Sequence, residues 1–180
     1  MSDAERGDVY VSLEMRCRLA AACRYELGWR LHPVATVTLR DSGQLQLVQT
    51  IARAAHPSWA AAVERPIAPG DMRAADLVLA SPVELLHIEV ERALVDVQAQ
   101  VRAAQLKRAE LAQREARPVR LVMAFPDTSR NRARLAPISE LMAKTFPVPS
   151  GTVWRGIRAG TPIGADGVLF VRTDRGTYRP

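Results

Sequence analysis

Residues 119–125 read VRLVMAF, and no other stretch of this chain constrains its fold as strongly. Side chains along a strand point alternately to the two sides of a sheet, so a run apolar on both sides needs a covering layer on both faces. Pro126, Asp127 and Thr128 then end the strand. Two helical layers are available ahead of it in sequence. Residues 41–55 carry Leu45, Val48, Ile51 and Ala52 at helical spacing, and residues 93–115 carry Leu94, Val97, Val101, Ala104 and Leu111. Between these helices lie three extended stretches, near 63–68, 73–80 and 85–91, separated by Pro69-Gly70 and Ser81-Pro82. The order is helix, three strands, helix, strand. An α/β fold follows: a mixed sheet with helices on both faces, 41–55 and 93–115 packing on opposite sides because each has one apolar stripe.

The flanks are less regular. Ser12 reads as the N-cap of a helix running to Leu27 and closed by Gly28, and residues 29–40 form short extended pieces interrupted by Pro33. Downstream, RNRARLAPISELMAKTF and VWRGIRAG suggest short helices and GVLFV a last strand. The expected organisation is an N-terminal helix and extended segment over 1–40, then one domain over 41–180 with a C-terminal helical extension. No apolar run approaches the length of a membrane span, and MSDAERGDVYVS lacks the apolar core of a signal peptide, so a cytoplasmic protein is expected. Cys17 and Cys23 lie on different faces of one helix and read as reduced thiols. A formal charge of +6 is compatible with a polyanionic partner, although only Lys107 and Lys144 among the 25 basic residues are lysine.

Residues 85–91, LLHIEVE, hold the chemistry. Leu86, Ile88 and Val90 share one face of the strand; His87, Glu89 and Glu91 share the other. Asp76 lies early in the preceding strand, and neighbouring strands are about 4.8 Å apart, so Asp76 and Glu89 can face one divalent cation, Mg2+ or Mn2+, with the carbonyl of Val90 completing the shell. Glu91 reads as a further ligand, a general base, or an acid that ends the strand and favours the next helix through its dipole. Three carboxylates without a cation repel, so one of them should hold its proton to higher pH, and neutralising Asp76 or Glu89 should raise stability.

The element order together with Asp76 and Glu89-Val90-Glu91 resembles the PD-(D/E)XK nuclease superfamily, the restriction-endonuclease-like fold, over about residues 41–125. The resemblance implies an αβββαβ core, a metal held by Asp76 and Glu89, and phosphodiester hydrolysis on DNA. In that superfamily a lysine stands where this chain has Glu91; some restriction enzymes use Glu there, and other members that lost the lysine are inactive. A longer likeness, through SLEMRCRLAAACRYELGWRL, RAADLVLASP, HIEVERALVDVQAQVRAAQLKR and RPVRLVMAFPDTSRNRARL, is to the C-terminal part of bacterial proteins with an N-terminal helix-turn-helix of the phage-repressor type. It implies that residues 12–27 are the last helix of such a DNA-binding domain. Two readings stand: a metal-dependent DNA endonuclease, or a catalytically silent module of a transcriptional regulator or antitoxin-like protein, with DNA as partner, a homodimer as an option, and no membrane.

The resemblance also implies a role for Gln98, because a Gln or Lys from the helix after the acidic strand faces the site in several branches. Lys107 reads as a poor substitute for the missing lysine, at about 14 Å further along a helix rising 1.5 Å per residue. His87 reads as hydrogen-bonded structure, Asp96 as a helix cap or ion-pair partner, and the three tryptophans as core. Arg130, Arg132 and Arg134 could contact DNA phosphates or form a solvated basic face. GxSxG, HExxH and phosphate-loop motifs are absent from the sequence.

Overall fold

The computed structural model describes Met15, Arg18, 21–23 and 42–172. The chain divides into two units, Met1–Thr36 and Val37–Pro180. In the first, Met15, Arg18, Ala21 and Ala22 are helical and Cys23 is an exposed free thiol; the rest of the expected helix over 12–27, Cys17, and the extended pieces over 29–40 lie outside the described residues.

The second unit contains α1 (Ser42–Ala54), β1 (Ala60–Pro66), β2 (Ala74–Ala80), β3 (Leu85–Val90), α2 (Val97–Ala112) and β4 (Val119–Pro126). It continues with α3 (Ser129–Leu135), a 3-10 turn (Ala136–Ile138), α4 (Ser139–Thr145), α5 (Ser150–Ala159) and β5 (Gly167–Val171). The strands form one sheet in the order β1-β2-β3-β4-β5. Pairing is antiparallel for β1 with β2 and β2 with β3, and parallel for β3 with β4 and β4 with β5. The fold is therefore α/β with a mixed sheet. Among the described residues no helix is long and apolar enough to cross a membrane.

The apolar run of β4 is divided between two cores. Val122 and Ala124 join Leu47, Val48 and Ile51 of α1, Leu86, Ile88 and Val90 of β3, and Val153 and Ile157 of α5 on one face. Leu121, Met123 and Phe125 join Ala104 of α2 and Met142 and Phe146 around α4 on the other. Leu85 and Val78 meet Leu111 of α2 in a third cluster. The helices α1 and α2 thus cover opposite faces, as their separate apolar stripes require.

Three local details shape the site. Leu47, Val48 and Ile51 seat α1 on the sheet, and Gln44 continues the same i, i+3, i+4, i+7 stripe one turn earlier, so it projects at the end of the covered face. In β1, Glu64 adopts a left-handed φ of 53°. The paired residues on either side are Val63↔Leu77 and Arg65↔Ala75, so the irregularity falls opposite Asp76. The helix α2 begins four residues later than the expected 93, because Asp96 accepts a hydrogen bond from the Ala99 amide at 3.0 Å and caps it.

Candidate functional site

Asp76 and Glu89 lie where the β2–β3 ladder ends. Its last pair is Leu77↔Ile88, which leaves Asp76 and Glu89 next in register and outside the regular pairing. In place of a ladder bond, Asp76 Oδ2 accepts the Val90 amide at 2.8 Å. The Gln44 side-chain amide donates to the same Oδ2 at 3.2 Å and to the Val90 carbonyl at 3.1 Å. One glutamine at the start of α1 therefore ties both strands together. Arg92 lies across Gly43 beside it: a Cβ on Gly43 would stand 2.7 Å from Arg92 Nε.

Glu89 faces the α2 side, buried with 6% of its surface exposed. Burying a carboxylate is costly unless it is paired, and both of its oxygens are. Oε1 lies 2.6 Å from Nε2 of the fully buried His87, and Oε2 lies 2.7 Å from Nζ of Lys107. Burial would raise the Glu89 carboxyl; the His87 hydrogen bond and charge and the Lys107 ammonium outweigh it and hold the group below the ordinary glutamate range. Lys107 also donates to the Ala74 carbonyl at 3.0 Å, so its ammonium bridges the start of β2 to the end of β3.

Glu91 follows β3. Its amide donates to the Ala124 carbonyl at 2.9 Å, and its Oε2 accepts from Gln100 of α2 at 2.7 Å. Desolvation raises its carboxyl above the ordinary range, and the charges of Asp76 and Glu89 add to the rise against the opposing effects of Gln100 and Lys107. Asp76 and Glu89 therefore both act on Glu91, whose carboxyl keeps its proton to higher pH than an ordinary glutamate.

Gln98 is not at this site. It is exposed and lines an apolar groove of 280 Å³ with Val101, Ile138 and Met142. Two residues along a helix is a turn of about 200°, so the glutamine that faces the acids is Gln100. Lys107, set aside on distance along the helix axis, reaches the acid after all. The chain overshoots β3 through residues 91–96 and α2 then runs back along the sheet to start the parallel strand β4, as a parallel crossover must. Gln100 and Lys107 are seven residues apart on one face of that returning helix, and the long lysine stem spans the remainder. Its sequence signal was its rarity, one of two lysines among 25 basic residues. Gln44 had no comparable signal.

The three arginines after β4 do not share a face. Arg132 stacks on the Phe170 ring, 4.5 Å from its centroid, and pairs with Asp127 at 2.6 Å. Arg134 donates to the Leu94 carbonyl, and Arg130 is exposed. Asn131 between them is buried and donates to the Arg92 and Pro126 carbonyls.

Asp76, Glu89 and the Val90 carbonyl are hard oxygen donors, the chemistry that Mg2+ and Mn2+ select. Among the described residues no group of three or more His, Cys, Asp or Glu side chains is placed to hold a metal ion. The donors fit the ion in kind, and their oxygens are engaged by Lys107, His87, Gln44 and the Val90 amide. Comparison with protein-family models, with curated proteins and with solved structures finds no match.

Proposed function

We propose that this domain is a restriction-endonuclease-like module of the PD-(D/E)XK type that acts on DNA, with Asp76, Glu89 and Lys107 as its functional centre. The observation that carries the reading is the 2.7 Å contact by which α2 brings Lys107 to an acid eighteen residues earlier in the chain. Asp76 and Glu89, with the Val90 carbonyl, would hold Mg2+ or Mn2+. Such an ion polarises a phosphodiester and lowers the pKa of an attacking water. Lys107, held beside Glu89, would offer its positive charge to a phosphate oxygen. Gln100 orients Glu91, whose raised carboxyl is suited to exchanging a proton. Gln44 fixes Asp76 against Val90.

One observation favours a catalytically silent module instead. Both Glu89 oxygens are already compensated, so the network holds β2, β3 and α2 together without an ion. Thermal unfolding at fixed ionic strength separates the two. Under the first reading millimolar Mn2+ raises Tm, by about 2.7 kcal/mol of stabilisation at a hundredfold excess over Kd, and Asp76→Asn abolishes the response. A wild-type Tm that ignores Mn2+ and Mg2+ leaves the silent module, whose acids serve structure alone.

A further inference from the structure

Three arginines that the acidic centre does not use converge on a second cleft. It has a volume of 350 Å³, and its charged lining among the described residues is Arg132, Arg158 and Arg172 against the carboxylate of Asp127. The guanidiniums are prearranged. Arg132 lies over Phe170, and Arg158 lies over Trp154 with 4.8 Å to the ring centroid. Asp127 steadies Arg132 at 2.6 Å and Arg172 at 3.6 Å, while Arg172 remains 89% exposed. The rings are fixed in turn: Trp154 Nε1 donates to the Phe170 carbonyl at 2.9 Å, and the Phe170 amide donates to Ser150 Oγ at 2.9 Å. At Gly151, in the first turn of α5, no described atom beyond its chain neighbours and its own helix backbone lies within 4 Å of where a Cβ would stand.

The cleft's place in the sheet adds to this. Strands β3, β4 and β5 are parallel, so Glu91, Asp127 and Arg172 all follow the carboxyl ends of neighbouring strands. Asp127 is tied to that edge by its amide, which donates to the Val171 carbonyl at 2.8 Å. Two strand spacings, about 10 Å, separate the acidic end of β3 from the arginine end of β5. An anion excluded from the acids meets an excess of positive charge along the same edge.

We propose that the Arg132–Arg158–Arg172 cleft binds the phosphate backbone of a nucleic-acid strand. Planar guanidinium forks match phosphate oxygens two at a time, and a guanidinium seated over an aromatic ring leaves its outer side for a base to stack on. That combination of basic groove and stacked planes favours nucleic acid over an acidic peptide, which uses only the charge. The site stands whether or not the acidic centre holds a metal, because nothing in it depends on Asp76 or Glu89.

The test is fluorescence anisotropy of a labelled 20-nucleotide single strand and of its duplex, titrated with the full chain across a range of salt concentrations without divalent ions. The double variant Arg158→Gln/Arg172→Gln should lose about tenfold or more in affinity, and the slope of log Kd against log salt should fall by roughly one per contact removed. Arg172→Gln alone, at a side chain too exposed to affect folding, should give a smaller loss in the same direction. Arg102→Gln/Arg114→Gln removes equal charge from α2 and the turn after it, and should leave affinity within about twofold, as screened distant charges do. An equal loss in that control pair, or no binding by the wild-type chain at low salt, would overturn the proposal. So would polyglutamate displacing the strand as well as unlabelled oligonucleotide at equal charge.

Discussion

Glu89→Gln separates two opposite expectations. Three carboxylates converging on one point imply that neutralising any of them relieves repulsion and raises stability. The structure reverses that sign for Glu89. Its carboxylate, with 8% of the side chain exposed, is the shared partner of His87 and of Lys107, whose own side chain is 22% exposed. Gln keeps the shape and one acceptor but removes the charge, leaving an ammonium and an imidazole facing a neutral amide. Removing one partner of a buried pair costs about 3–5 kcal/mol; partial exposure of Lys107 and the retained acceptor bring this to about 2 kcal/mol. For a chain of this size that is a fall in Tm of roughly 4–8 °C. The pH dependence follows from the lowered Glu89 carboxyl. A depressed acid contributes fully above its unfolded pKa, so the penalty is complete at pH 7 and shrinks as pH falls from the ordinary 4.5 through the folded value below it. Thermal or urea unfolding of both proteins at pH 7 and across that acid window measures it. A variant as stable as wild type at pH 7, or more stable, would show that Lys107 and His87 do not compensate Glu89 and that repulsion among the acids dominates.

Glu91→Gln should move stability the other way. Its folded carboxyl is raised, so its charge opposes folding once pH exceeds the unfolded value; the variant gains about 1 kcal/mol at pH 7 and nothing well below 4.5, read from Tm at both pH values. Gly160→Ala should destabilise by about 2 kcal/mol in urea unfolding, because this residue ends α5 at φ 70° and an added Cβ meets Ser58 Oγ and, at 2.7 Å, His56 Nδ1. A loss below about half that value would mean the loop around His56 yields freely.

Much of the architecture was legible in the chain because it rests on periodicity. The run over 119–125 demanded two covered faces, the stripes of residues 41–55 and 93–115 demanded a face each, and the turns at Pro69-Gly70 and Ser81-Pro82 separated three strands; the sheet carries all of this. That Asp76 and Glu89 fall in neighbouring register also followed, since side-chain alternation and a short connection leave little choice. Sequence could not decide which residues of other elements meet these acids. The partners Gln44, Gln100 and Lys107 come from helices whose phase and offset against the sheet depend on where each helix starts and how its apolar stripe seats. A shift of two residues turned the choice from Gln98 to Gln100, and the return path of α2 brought Lys107 to within 2.7 Å of Glu89. The Arg132–Arg158–Arg172 cleft is wholly a tertiary feature, assembled from α3, α5 and the end of β5, because long-range packing alone brings forty residues' separation to one edge of a sheet.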